Sequence, residues 1–185
     1  MRKLKLQMQI TVDGFVAGPE GQLDWMTWDM DPKLEAFIDQ LTDTSETILL
    51  GRKMTPGFIG HWERTSSNAE SGEYAFAQKM VGYEKVVFSR TLHDVDGKNV
   101  RVHNGDIVEG VNAIKRQAGK DIVVYGGATF VASLIEHNLI DEFNLFVNPA
   151  AIADGLRAFR ARKTLKLVAS TPYPCGIVVL TYQPG

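Results

Sequence analysis

Asp121 to Pro149, DIVVYGGATFVASLIEHNLIDEFNLFVNP, is the stretch that most limits what this chain can become. Ile122 to Tyr125 is a short, β-branched apolar run suited to a buried strand. Gly126-Gly127 interrupts it. Phe130, Val131, Leu134, Ile135 and Leu139 then recur at helical spacing, Asn138 marks a stop, and Asp141 to Val147 reads as the next strand. Two glycines between a strand end and a helix start let the backbone approach a ligand closely. The first turn of that helix offers unpaired N–H groups and a positive dipole end, which suit a phosphate. A tight βα turn with no ligand has the same local signature, so at this level both readings stay open.

The flanking sequence repeats the alternation. Residues 2–12 place Leu4, Leu6, Met8 and Ile10 on one face of a strand and Lys5, Gln7, Gln9 and Thr11 on the other. Water is the expected neighbour of that polar face, with a polar cleft as the other option. Asp13 to Trp28 holds three glycines and a proline and reads as a long loop, the kind that tends to carry function. Asp31-Pro32 opens a helix whose buried face is Leu34, Phe37, Ile38 and Leu41. Thr47 to Leu50 is a strand running into a turn over Gly51 to Gly57. Residues 60–73 read as a polar loop in which Trp62 is a lid or packing residue. A helix over Tyr74 to Val81, a strand over Lys85 to Phe88, a short strand near Val100 to Val102 and a helix through Ile107, Val111 and Ile114 follow. Leu165 to Ser170 and Ile177 to Tyr182 have only a turn between them and should pair as an antiparallel hairpin. The whole predicts an α/β chain with a mainly parallel central sheet flanked by helices and an antiparallel C-terminal hairpin, in one domain over residues 1–185.

Composition excludes several classes. The chain has 185 residues, 44% hydrophobic and 23% charged, which is ordinary for a globular protein. The net charge is −2 and no run of Lys and Arg exceeds two residues, so neither nucleic acid nor an anionic membrane is the expected partner. No apolar stretch is long enough to span a bilayer, and the alternating N-terminus reads as a strand and not a signal peptide. Cys175 is the only cysteine, consistent with a reducing cytoplasm. His61, His93, His103 and His137 lie too far apart for metal-ligand spacing, so no metal is expected.

Ligands of such sheets sit at the carboxyl ends of the strands. Three predicted strand ends carry anion-binding groups: Gly51-Arg52-Lys53, Ser89-Arg90 and Gly126-Gly127. Two arginines, a serine and a glycine-led helix suit a 2′-phosphorylated dinucleotide. The G-x-G-x-x-G fingerprint after the first strand is absent, which excludes the ordinary dinucleotide-binding fold.

These blocks, with Thr11-Val12-Asp13-Gly14-Phe15-Val16-Ala17, Leu23-Asp24-Trp25, Tyr125-Gly126-Gly127-Ala128 and Leu139-Ile140-Asp141-Glu142, resemble the dihydrofolate reductase superfamily. The likeness is strongest to the branch holding the reductase domain of the riboflavin-biosynthesis deaminase-reductase, and it covers nearly the whole chain. It implies NADPH-dependent hydride transfer to a small heterocyclic or ribosylaminopyrimidine substrate, as in 5-amino-6-(5-phosphoribosylamino)uracil reduction. By the family pattern Arg52, Ser89 and Arg90 contact the adenosine 2′-phosphate. Lys53 and Gly126, Gly127, Ala128 and Thr129 contact the pyrophosphate, with Gly51 at the turn. Thr55 supplies the hydroxyl one place later than the family's Gly-Arg-x-Thr puts it. Val16 and Ala17 lie near the nicotinamide. Asp13, Trp25, Phe37 and Tyr125 line the substrate side, with Gln7 or Gln9 looking in from the first strand. Asp13 or Tyr125 places or relays the proton, each with a plain structural reading beside it: a turn-capping carboxylate and a half-buried strand aromatic. The resemblance also implies a homodimer through the C-terminal strands. The deaminase zinc motif is missing, and the matching position of the pterin-binding carboxylate is Lys33, with Glu35 nearby. A broad-specificity pterin reductase and a nucleotide-binding protein without chemistry remain the alternatives.

Overall fold

The computed structural model describes residues 1–29 and 31–185. Its elements are β1 (Leu4–Thr11), α1 (Pro32–Asp43), β2 (Ser45–Gly51), α2 (Thr55–Thr65), α3 (Tyr74–Gly82), β3 (Glu84–Phe88), β4 (Val100–His103), α4 (Ile107–Arg116), β5 (Asp121–Val124), α5 (Ala128–Glu136), β6 (Glu142–Asn148), β7 (Leu165–Pro172) and β8 (Val178–Pro184). They form one eight-stranded sheet in the order β4-β3-β2-β5-β1-β6-β8-β7. The first six strands run parallel, and β8 pairs antiparallel with both β6 and β7. The mainly parallel sheet with an antiparallel C-terminal hairpin is therefore observed as expected.

Strands buried on both faces must be apolar on both, and β2 shows this with Ile48, Leu49 and Leu50 all fully buried. Leu4, Leu6, Met8 and Ile10 pack with Val111 and Ile114 of α4 and Val131, Leu134 and Ile135 of α5. On the opposite face Ile48, Leu50, Val87 and Val123 lie under Phe58 and Trp62 of α2 and Phe76 and Met80 of α3. Leu34, Phe37 and Ile38 of α1 cover Phe146 and Val179 further along. Caps fix the helix starts: the Asp31 carboxylate accepts from Lys33 N and Leu34 N at 3.0 and 3.3 Å, and Asp106 accepts from Val108 N and Glu109 N at 2.9 and 3.0 Å. Asn138, at φ 55°, ends α5 in the left-handed region, with Leu139 N bonded to Leu134 O.

Two expectations change. The polar face of β1 is largely covered, with Lys5 7%, Gln7 9% and Thr11 2% exposed, and its Gln7 and Gln9 border a cleft, the second of the two options. The Lys5 ammonium is neutralised by Asp121 at 2.9 Å and bonded to Thr44 Oγ1 at 2.8 Å. Residues 55–65, read as a turn running into a polar loop, form helix α2. Pro56 sits in its first turn, where a missing N–H costs nothing. Phe58, Ile59 and Trp62 give it one apolar stripe that packs on the sheet, and that burial overrides Gly57 and Gly60.

Because the six strands are parallel, their carboxyl ends share one edge of the sheet. Their amino ends share the other edge, and the buried charges there have partners. Besides Lys5–Asp121, Lys115 pairs with Asp141 at 2.6 Å and Arg2 with Glu46 at 3.6 Å. Asp141 also accepts from Leu4 N at 2.7 Å, which ties the foot of β1 to β6.

Candidate active site

A cleft of about 1410 Å³ runs along the carboxyl ends of the parallel strands. Fourteen of the residues expected at the site line it: Gln7, Gln9, Val16, Ala17, Gly51, Arg52, Lys53, Ser89, Arg90, Tyr125, Gly126, Gly127, Ala128 and Thr129. The three strand tips named from the sequence thus meet in one groove. Gly51 ends β2 where the chain must pass under α5: a Cβ there would stand 2.7 Å from Phe130 Cβ. Gly127 caps α5 at φ 83° with no side-chain cap, leaving the first-turn N–H groups without intrahelical acceptors.

Arg52, Lys53 and Arg90 are exposed and, among the described residues, have no carboxylate within ion-pair distance. At the sheet's foot Arg2, Lys5 and Lys115 each have an acid; these three, at the tips, do not. The Ser89 hydroxyl accepts from Thr91 N and Leu92 N at 3.1 and 2.9 Å, which orients it and leaves its own proton free to donate. Asn104 holds the same turn through Ser89 O at 2.8 Å.

Four expected residues lie elsewhere. Asp13 does not line the cleft. Its carboxylate accepts from Thr11 Oγ1 at 2.6 Å, Ile152 N at 3.1 Å and Ala153 N at 2.8 Å. The Thr11 bond, with the two N–H groups behind it, holds Asp13 below the usual carboxylate range. These bonds make it a loop-capping carboxylate. Thr55 is fully buried and its hydroxyl donates to Gly51 O at 3.1 Å, closing the turn into α2, so it has no bond left for a phosphate. Phe37 packs on Phe146 and Tyr173 at 6.1 and 6.4 Å, under α1 and away from the cleft. Trp25 is half-buried outside the lining, with its indole N–H buried and unpartnered. Tertiary packing sets the direction of Phe37, whereas Thr55, and Asp13 in part, are held by bonds within their own turns.

The segment carrying Val16 and Ala17 is clamped from the C-terminal side. Val16 N bonds to Leu156 O and Leu156 N to Ala17 O, both at 2.8 Å. Gly155 makes this approach possible, since a Cβ on it would fall 2.2 Å from Ala17 O. Gln9 is also fixed: its Oε1 accepts from Asn148 Nδ2 at 2.6 Å, while Asn148 Oδ1 accepts from Thr27 N at 2.8 Å. Asn148 therefore pins the long 13–28 loop to β6.

Gln7 is different. Its amide oxygen is buried and has no partner, although the residue lines the cleft. Tyr125, next to it on the sheet, also buries an unpartnered hydroxyl; Thr42 Oγ1 nearby is likewise unpartnered, and the two stay outside hydrogen-bond geometry. Burial pushes the Tyr125 phenol well above its ordinary value, outweighing the opposing influence of Thr42. Its ring stacks on Phe58 with centroids 5.9 Å apart.

Sequence reading missed Phe58 and Trp62 in the cleft wall because it missed α2 as a helix, their i, i+4 spacing being the available signal; Phe76 and Met80 come from α3, which was read as a helix without being placed at the site. It also missed Arg160, whose Nη2 donates to Thr129 Oγ1 at 3.3 Å beside the start of α5. Nothing local marks that arginine out from the other cations of residues 150–163.

A mainly parallel sheet with antiparallel C-terminal strands and a cleft along the strand tips defines a dihydrofolate-reductase-like fold, and solved structures agree. A Shewanella sp. PV-4 protein assigned to riboflavin biosynthesis matches with a TM-score of 0.70 at 17% identity, over 100% of this chain and 99% of that one. The Thermotoga maritima diaminohydroxyphosphoribosylaminopyrimidine deaminase/5-amino-6-(5-phosphoribosylamino)uracil reductase matches with a TM-score of 0.69 at 16% identity, over 100% of this chain and 57% of that one. Within that class the chain belongs to the RibD C-terminal domain family, whose model matches residues 2–179. It is 33% identical over 188 residues to YyaP of Bacillus subtilis (strain 168), covering 98% of this chain and 95% of that protein.

Proposed function

We propose that this chain is an NADPH-dependent oxidoreductase of the riboflavin-biosynthesis reductase type, acting on a small heterocyclic or ribosylaminopyrimidine-type substrate. One observation carries the reading: three cations without acids and a glycine-capped helix start open onto the same cleft. Family membership and the fold shared with a Thermotoga maritima protein named as a uracil reductase support it.

The residues present fit NADPH. Arg52, Arg90 and the free Ser89 proton would hold the 2′-phosphate; Lys53 and the N–H groups of Gly126 to Thr129 would hold the pyrophosphate. Val16 and Ala17 would form the wall by the nicotinamide. Bound there, NADPH supplies the hydride for a C=N or C=O carbon. The chain's own work is to orient the reactants and keep water from the reacting face. Burial keeps the Tyr125 phenol protonated, and Tyr125 offers its ring, stacked on Phe58, to the cleft wall.

The protein works as one domain and as a homodimer. β7 is exposed along almost its whole length, with Leu167 and Val168 each 53% exposed at the sheet's edge. A cytoplasmic setting suits its lone thiol, Cys175. The test is titration with NADPH, read by the fluorescence of Trp28 and Trp62, which line the cleft, and by thermal melting. Quenching together with a raised melting temperature is expected; the absence of both overturns the proposal.

A further inference from the structure

Resting on the reading above, we propose that Arg160 is a positioning residue for the cofactor: it holds the Thr129 hydroxyl by its oxygen, so that the hydroxyl proton is given to the pyrophosphate at the start of α5. The first argument is the bond itself. Arg160 Nη2 donates to Thr129 Oγ1 at 3.3 Å, between residues 31 positions apart in the chain. Thr129 lines the cleft and is the second residue of α5. A hydroxyl that accepts from a cation keeps its own proton to donate, and the charge behind it makes that proton a better donor. Among the described residues that proton has no acceptor. Ser89, just past β3, is set up in the same way by two backbone N–H groups.

The second argument is charge. A cation stabilises the C-terminal end of a helix and destabilises the N-terminal end, where the dipole is already positive. Arg160 stands at the N-terminal end of α5 and, among the described residues, has no carboxylate within ion-pair distance. Gly127 gives that end no side-chain cap. The arrangement costs the nucleotide-free protein stability, and an anion reaching the same spot relieves it.

The third argument is placement. The neighbouring cations are engaged elsewhere: Arg157 lies over the Phe15 ring at 4.0 Å and donates to Asp13 O at 3.3 Å, and Lys163 donates to Asn138 Oδ1. Ala158 is 1% exposed, and Phe159 stacks on Phe143 with centroids 6.0 Å apart. The backbone that carries Arg160 is therefore packed on the core, and its side chain starts from a fixed point.

The test is calorimetry of the full chain with NADPH and with NADH, which share the pyrophosphate and differ in the 2′-phosphate. Arg160→Gln should weaken both by the same factor, about five- to tenfold, whereas loss of a 2′-phosphate ligand affects NADPH alone. The melting temperature without nucleotide should be unchanged or raised, since the substitution removes a cation from the wrong end of α5. Thr129→Val removes the hydroxyl through which Arg160 acts, so the double variant should bind no more weakly than Thr129→Val alone. Unchanged affinity in Arg160→Gln, a loss confined to NADPH, losses that multiply in the double variant, or a lowered melting temperature without nucleotide would each overturn the proposal. Failure of the unaltered chain to bind either nucleotide would instead remove the reductase reading, and this assignment with it.

Discussion

At the scale of single residues, the cleft separates groups held for structure from groups held for a ligand, and hydrogen-bond satisfaction draws the line. Asp13, Thr55 and Gln9 are all satisfied by their own chain. Gln7, Arg52, Lys53 and Arg90 are not. Tyr125 tests the distinction. If its hydroxyl delivered the proton, Tyr125→Phe would cost roughly 10²–10⁴ in rate. The expected loss is under about tenfold, with stability unchanged or raised by up to about 1 kcal/mol, because a buried hydroxyl without a partner is removed. Steady-state kinetics and a melting curve on one variant decide it. Gly155→Ala tests the clamp on Ala17. The new methyl would overlap Ala17 O, so a loss of roughly 1–3 kcal/mol is expected together with weaker NADPH binding. An unchanged melting temperature would mean that the clamp is not there.

At the scale of elements, the parallel strands are latched at their feet and left open at their tips. Asp121 illustrates the latch. Burial would raise its pKa, but the Lys3 N–H bond and the Lys5 ammonium outweigh this and hold it low. Asp13 and Asp106 are lowered as well. A carboxylate lowered in the folded state stabilises above its unfolded value and loses that contribution as the pH falls through its folded value. Melting temperature should therefore be flat around neutrality and fall below about pH 4. Asp121→Asn should lower it at neutral pH and shrink the acid-dependent drop; a variant with the same acid profile would contradict the latch. At the other end of the sheet, Leu167→Lys on the exposed β7 should convert a dimer to a monomer in sedimentation or light scattering with little loss of folded structure. A native chain that already sediments as a monomer, or a variant of unchanged mass, would contradict the proposed dimer through β7.

At the scale of the whole molecule, topology does what no local motif does: it brings turns from β2, β3 and β5 to one edge. The architecture was legible because a helix separates most successive strands up to Asn148, β3 and β4 excepted, and because no helix lies between Leu165 and Tyr182 to make the last pair parallel. Arg52, Ser89, Arg90 and Gly127 were legible as a site because strand ends in a parallel sheet must share an edge. α2 was not, since Pro56, Gly57 and Gly60 mask an apolar stripe that tertiary burial stabilises. Nor were the directions of Phe37, Trp25 and Asp13, which depend on what packs against them. The burial of the polar face of β1 was equally hidden, because alternation tells which side chains share a face and not what covers it.

The central claim is that separate strand tips grip one 2′-phosphorylated dinucleotide. Calorimetric titration of the chain with NADPH and with NADH, repeated on Arg52→Gln and Arg90→Gln, tests it most directly. Charge-assisted bonds to a phosphate are worth about 1.5–3 kcal/mol, so NADPH should bind roughly ten- to hundredfold more tightly than NADH, with each substitution removing much of that preference and leaving NADH binding nearly unchanged. Equal affinity for the two nucleotides, or a preference that survives loss of both arginines, would contradict the account.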